Sequence, residues 1–318
     1  MTARIVLLVT SPRLPAGLLT AQAWDLVRTH GVFAGAESPQ TAALRACGVA
    51  VTVEPAISAE VLLSAAGTSE AVVWLAGPAG DPELARELGL RLAREPGRAE
   101  LELAYGSWDP PGARLLDAVA VIDRLVSPGG DPWKRAQTHE SLAKFLLEEC
   151  YEAYDAIEAG DLATLREELG DLLLQIVLHA RLAEQLPEDE RWTVDDVAGG
   201  LVEKMVRRNP HVFGDASAST VDEVLEIWER AKGTEKARDS AMDGIALAQP
   251  ALALAAKMLA RAEQAGVPVP LPSTVDEWGA VLFRVVADAR AAGVDAEAAL
   301  RRAALAYADA VREAERAR

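Results

Sequence analysis

The 318-residue sequence predicts a mainly α protein: a helical bundle, preceded by a small α/β domain and followed by a short helical tail. Three observations predict it. Residues 1–112 alternate short β-branched runs with helix-like stretches, residues 113–265 read as long amphipathic segments joined by short breaks, and the stiff linker Val267-Pro-Val-Pro-Leu-Pro272 sets off two last helical segments. At roughly 150 residues per domain this length suggests about two domains. Hydrophobic residues make up 50% and charged residues 25%, as in an ordinary globular chain and unlike a disordered one.

In the first piece, residues 5–10, 49–53 and 71–76 are short, β-branched and apolar, as buried strands are. Helix signals lie near 17–29, 39–46, 58–66 and 82–94, with a turn cluster at Gly77-Pro-Ala-Gly80. The pattern is that of a small unit with a mostly parallel sheet, and Asp109-Pro-Pro-Gly112 breaks the chain behind it. In the second piece, helices are predicted at 114–127, 138–159, 162–186, 194–208, 220–236 and about 249–265. Their separators are Ser127-Pro-Gly-Gly130, Gly160, Pro187, Asn209-Pro210 and Gln249-Pro250, and such short breaks suggest an antiparallel bundle. The tail, 266–318, is predicted to hold helices at about 274–292 and 295–315.

The balance of 32 basic against 49 acidic residues gives a net charge of −17, which argues against a general grip on nucleic acid. Cys47 and Cys150 are too few for a disulfide framework, no apolar run approaches the ~20 residues of a membrane helix, and the short apolar start has no cleavage site after it. These features predict a cytoplasmic protein without a membrane partner.

The chemistry concentrates where the acids do. Between Glu148 and Asp171 stand nine acids and one base, Arg166. At about 100° per residue, Leu142, Phe145, Leu146, Ala153 and Ile157 define an apolar stripe on the first helix. Glu149 falls in the middle of that stripe, Glu152 at its edge and Glu148 further out. On the second helix the stripe is Leu165, Leu169, Leu172, Ile176 and Ala183. Glu168 lies beside it, and Asp171 follows on the polar flank in line with Gln175.

A carboxylate in an apolar stripe is costly unless something neutralises it. Glu149/Glu152 and Glu168/Asp171 are both spaced i, i+3, so facing helices would put four carboxylates around one cavity. Oxygen-only ligation with open positions suits Mg²⁺ or Mn²⁺, and a bundle core is where such sites are built. Zinc sites need His and Cys at short spacing, which four scattered His and two Cys do not offer. A di-iron bundle needs Glu-x-x-His, and Ala136 and Ile176 stand where its glutamates belong. A plain solvated acidic face is the competing reading.

Cations suited to an anionic ligand occur at Lys204, Arg207 and Arg208, spaced i, i+3, i+4, with His211 beyond. Helix-dipole complementation before Asn209-Pro210 accounts for them equally well. Lys232 and Lys236 are weaker candidates, and Trp133 is a candidate for stacking on a base or for capping the core.

Glu148-Glu-Cys-Tyr-Glu152, followed after 15 residues by Glu168-Leu-Gly-Asp171, resembles the EExxE…ExxD signature of MazG-type nucleoside triphosphate pyrophosphohydrolases. The likeness continues through Gln137-Thr-His-Glu-Ser-Leu142, Glu167 to Gln175, His179-Ala180, Lys204-Met-Val-Arg-Arg208, Asn209-Pro-His-Val-Phe213 and Trp228-Glu-Arg-Ala-Lys232 with Glu235-Lys236. The resemblance implies Mg²⁺-dependent cleavage between the α- and β-phosphates of a nucleoside triphosphate, giving a monophosphate and pyrophosphate, in a homodimer. It implies Glu149, Glu152, Glu168 and Asp171 as metal ligands, with Glu148 accessory or orienting the attacking water. It tilts Lys204 and Arg207 or Arg208 towards phosphate contact.

Alternatives on the same residues are a nucleotide-binding regulatory module without turnover, a purely structural acidic bundle, and a hydrolase of guanosine tetraphosphate-type or damaged nucleotides. Two departures stand out. Asp131-Pro-Trp-Lys134 replaces the family's usual Cys-Pro-Trp-Asp. In the tail, residues 276–292 echo 167–183 with Glu277 opposite Glu168, but Ala280 stands opposite Asp171, which reads as a degenerate copy unable to hold metal in the same way. The first piece resembles, faintly, a truncated tetrapyrrole methylase through Gly17-Leu-Leu-Thr20 and Ala23-Trp24. Ser11-Pro-Arg-Leu-Pro15 stands where such a methylase has a Gly-rich turn, so a structural or regulatory part is expected of it, without methyl transfer.

Overall fold

Short apolar runs and helices alternate through β1 (Ala3–Val9), α1 (Ala21–Thr29), β2 (Gly31–Ala34), α2 (Pro39–Ala46), β3 (Val51–Val53), α3 (Ala59–Ala66), β4 (Ala71–Leu75), α4 (Pro82–Arg94) and β5 (Ala99–Tyr105). They come from a computed structural model that describes residues 2–55, 58–77, 80–233, 239–267, 269–272 and 277–317. The five strands form one parallel sheet in the order β3-β2-β4-β1-β5. Side chains alternate between its faces, so the uninterrupted apolar runs of β1 and β4 serve two cores at once. Ile5, Leu7, Val72 and Trp74 pack on α3 and α4 through Ala59, Leu62, Leu63 and Leu88. Val6, Leu8, Val73 and Leu75 pack on α1 and α2 through Ala23, Leu26, Val27 and Leu44.

Two strands escape the sequence pattern. β2 is the four residues Gly-Val-Phe-Ala, too short for a periodicity to register. β5 reads Ala-Glu-Leu-Glu-Leu-Ala-Tyr, good helix formers, and it takes the sheet edge, where Arg4 on β1 pairs with Glu102 at 3.1 Å.

The remaining elements are α5 (Arg114–Val126), α6 (Pro132–Arg135), α7 (His139–Ala159), α8 (Leu162–Ala183), α9 (Val194–Arg208), α10 (Pro210–Phe213), α11 (Val221–Gly233), α12 (Ala251–Gln264), α13 (Glu277–Ala291) and α14 (Ala296–Arg316). The chain forms two compact units, Met1–Gly199 and Gly200–Arg318, and α9 runs through the division. Among the described residues no helix is long and apolar enough to cross a membrane, and both cysteines are free.

Within the first unit, Ile122 and Val126 of α5, Leu142 of α7 and Val177 and Leu178 of α8 form a third apolar core. The loop after β1 is fastened to α5. Arg13 Nη2 donates to Asp117 at 2.6 Å and Nη1 to Asp109, while Ser11 Oγ also donates to Asp109. An ion-pair clamp thus holds the loop, which raises the Arg13 pKa and keeps both aspartates below the usual range. Within the second unit, Arg290 on α13 pairs with Glu263 on α12.

Candidate metal centre

Two caps place the acidic helices. Thr138 and Ser141 form a reciprocal capping box at the start of α7, their backbone–side-chain bonds 2.9 and 3.2 Å long. Gly160 ends α7 at φ +69°, a left-handed conformation natural to glycine, and Asp161 at once caps α8 through the Ala163 and Thr164 amides. A two-residue break between long helices leaves them antiparallel and adjacent, so residues near the middle of each face one another.

Glu149 and Glu152 of α7 and Glu168 of α8 each turn a carboxylate oxygen into one group whose members lie within 4.8 Å of one another. Among the described residues it is the cluster of metal-ligating side chains that stands out. Burial, then the charges of Asp171, Glu152, Glu168 and Glu148, push the Glu149 carboxyl above the usual glutamate range. Burial, then Glu152 and Asp171, raise Glu168 in the same direction. Carboxyls that resist ionising because they crowd one another are what a divalent cation relieves. The donor set is all oxygen, so it fits Mg²⁺ or Mn²⁺.

Asp171 lies outside the close group, exposed, while its charge acts on both Glu149 and Glu168. Glu148 is exposed and contributes the last of the charges acting on Glu149. The helical wheel placed Glu149, Glu152 and Glu168 well but misjudged the stripes around them. Ile157, Leu169 and Ile176 are exposed, whereas Gln175, assigned to the polar flank, is only 5% exposed. The reason is that α8 packs against α5 as well as α7, which turns Val177, Leu178 and Ala180 inward.

Trp133 sets its ring edge-on to Phe145 at 5.7 Å, with Lys134 Nζ 5.6 Å from its own centroid. It is still 52% exposed. Asp131 caps α6 by accepting from the Lys134 amide at 2.7 Å. Two of the scattered histidines meet: His139 Nδ1 and His179 Nδ1 are 2.7 Å apart across α7 and α8, a contact no sequence spacing announced.

In the second unit, Lys204, Arg207 and Arg208 occupy the last turns of α9. Arg208 lies over the Trp228 ring of α11 at 5.1 Å, and the buried Nδ1 of His211 has no hydrogen-bond partner among the described residues. Lys232 pairs with Glu229 at 3.1 Å, and Lys236 lies outside the described residues.

Comparison with known proteins bears on the same segment. The profile of the MazG nucleotide pyrophosphohydrolase domain matches residues 137–213, which begin just before α7 and end with α10. A Thermotoga maritima protein described as nucleoside triphosphate pyrophosphohydrolase/pyrophosphatase MazG is 36% identical over 213 residues, 60% of this chain and 82% of that protein. The chain belongs to the MazG nucleotide pyrophosphohydrolase family.

A relative from Mycolicibacterium smegmatis, described as nucleoside triphosphate pyrophosphohydrolase, is 47% identical over 211 residues, 65% of this chain. The chain spans 61% of that protein's length. An uncharacterized 26.1 kDa protein of Streptomyces cacaoi is 51% identical over 240 residues, covering 74% of this chain and 97% of its own length. The MazG match covers all five acids of the EExxE…ExxD pattern as well as Lys204, Arg207, Arg208 and His211.

Proposed function

We propose that the chain is a Mg²⁺-dependent hydrolase of nucleoside triphosphates, ribose or deoxyribose and including non-standard bases, releasing a nucleoside monophosphate and pyrophosphate. The carrying observation is the group of Glu149, Glu152 and Glu168 oxygens within 4.8 Å, with the Glu149 and Glu168 carboxyls shifted upward by burial and then by the neighbouring acids. When bound there, Mg²⁺ supplies charge neutralisation on the phosphates and a more acidic water. Glu149, Glu152, Glu168 and Asp171 hold the metal in this reading, and Glu148 orients the attacking water from the exposed flank. Lys204, Arg207, Arg208 and His211 are the candidates for phosphate contact that the family resemblance implies, and Trp133 is the candidate for the base. Mn²⁺ substitutes for Mg²⁺, as it does at most oxygen-only sites.

The active form in this reading is a homodimer. Leu162, Leu169 and Ile176 follow one another at seven-residue spacing on α8 and are 77%, 53% and 45% exposed. A stripe of that period is the seam by which one helix meets another, and a second copy of the chain supplies it. The α/β layer contributes structure or regulation and no methyl transfer, since Arg13 and Ser11 fill the loop after β1 with contacts to Asp109 and Asp117.

Product analysis on a panel of nucleoside triphosphates, with and without Mg²⁺, tests the proposal. Monophosphate and pyrophosphate appearing only with metal support it. Diphosphate and phosphate would move the cleaved bond, and binding without turnover would leave a regulatory module.

A further inference from the structure

Along α8, Asp171, Gln175 and His179 follow at i, i+4 and i+8, so they climb one side of the helix away from the acidic group. Each step of four residues rises about 6 Å. The carboxamide thus stands one turn above Asp171 and the imidazole two turns above it.

Both side chains hold a sealed polar atom with nothing to bond. Gln175 is 5% exposed, and its Oε1 has no hydrogen-bond partner among the described residues. His179 Nε2 is equally enclosed and unpartnered. Its other nitrogen is engaged, because His139 Nδ1 approaches His179 Nδ1 to 2.7 Å. One of those nitrogens carries the shared hydrogen, which fixes both tautomers and leaves His179 Nε2 a single defined role as donor or acceptor. The two imidazoles lie edge to edge and nearly coplanar, 5.0 Å between centroids and 5° between planes, and the Trp192 ring lies near-parallel to His139 at 6.3 Å and 23°. The imidazole is therefore held rigidly.

A core that needed only to be filled would be better served by methionine and phenylalanine at these positions, since an orphaned buried polar atom costs stability. Two such atoms one turn apart, in line with the acids, match a ligand that continues past the phosphates. In a nucleoside triphosphate the sugar and then the base follow the phosphates.

We propose that Gln175 and His179 bind the nucleoside part of the substrate and determine which nucleosides are accepted, with His139 and Trp192 positioning His179. The inference rests on the phosphates sitting at Glu149, Glu152 and Glu168.

Gln175→Met and His179→Phe conserve volume and remove the polar atoms. The measurement is kcat/KM for each across the four ribonucleoside and four deoxyribonucleoside triphosphates, with melting curves and Mn²⁺ titration as checks on fold and metal site. The ratio between the best and the poorest substrate is expected to change at least tenfold in each variant, with metal affinity unchanged. Equal losses on every substrate, or no loss, would overturn the inference. If the wild-type chain hydrolyses none of the panel, the reading of the acidic group fails separately. Calorimetric binding of the matching nucleoside monophosphates then decides: selective loss in Gln175→Met supports nucleoside recognition, and affinities unchanged from wild type, or no binding by wild type, overturn it.

Discussion

Glu149 on α7 and Glu168 on α8 bring carboxylate oxygens within 4.8 Å of each other, and both carboxyls lie above their usual pKa, through burial first and then through the charges of the surrounding acids. A carboxyl whose folded pKa is raised binds its proton more tightly in the native state than in the unfolded one. The metal-free protein therefore has its full stability below the unfolded value of 4.5 and loses some as pH rises through the raised folded values. Melting curves at pH 5 and pH 8 should show this fall, and Mg²⁺ should reverse it at pH 8 and do little at pH 5. At a hundred times its dissociation constant the metal stabilises the fold by about 2.7 kcal/mol. A melting temperature indifferent to Mg²⁺ at both pH values would remove the metal from the centre.

Neutralising one member separates metal binding from packing. Glu149→Gln should raise the melting temperature of the metal-free protein at pH 8 by relieving the crowding, and it should lower kcat/KM more than about a hundredfold, some 2.7 kcal/mol of barrier. Asp171→Asn should cost activity on a similar scale with helical content intact by circular dichroism. Retained turnover in either variant would exclude that residue from the metal shell.

The acidic site was legible in the sequence because helix periodicity is rigid: i, i+3 spacing alone puts Glu149 and Glu152 on one face. The surroundings were less legible. A wheel orients a helix relative to its own apolar residues, and α8 carries more apolar residues than one face can bury. Packing against α5 decided that Val177 and Leu178 face the core while Leu169 and Ile176 do not. The His139–His179 contact is a consequence of antiparallel register across forty residues, which no local pattern encodes. Likewise β5 has the composition of a helix and becomes a strand because β1 offers it seven paired positions, from Ala3↔Ala99 to Val9↔Tyr105.

The basic end of α9 can be tested residue by residue. Arg208 lies over Trp228 at 5.1 Å, so Arg208→Ala should lower the melting temperature and change tryptophan fluorescence. Arg207 is exposed, and Arg207→Ala should raise KM about tenfold, roughly 1.4 kcal/mol, a larger effect than any it has on the fold. An unfolded spectrum for Arg207→Ala, or an unchanged KM, would assign that arginine to structure alone.

The exposed heptad on α8 makes the assembly testable. Leu169→Arg and Ile176→Arg together put two charges on a stripe that is half exposed in the single chain and that the proposed dimer would bury. Sedimentation should shift from dimer to monomer, with helical content retained. A wild-type chain that sediments as a monomer at micromolar concentration would dismiss the dimer directly.

The α/β layer offers a control that leaves the acidic centre alone. Asp81 accepts from the indole nitrogen of Trp74 at 2.6 Å and from the Gly77 amide at 3.2 Å, tying the end of β4 to the start of α4. Trp74 is otherwise buried in the core between the sheet and α3, so losing the carboxylate strands its N–H. Asp81→Ala should therefore cost about 1–3 kcal/mol of stability. Below the variant's melting transition, kcat/KM should match wild type, because every acid of the candidate centre lies on α7 and α8. A selective fall in turnover with the fold intact would instead couple this layer to the hydrolytic centre and give it a regulatory role.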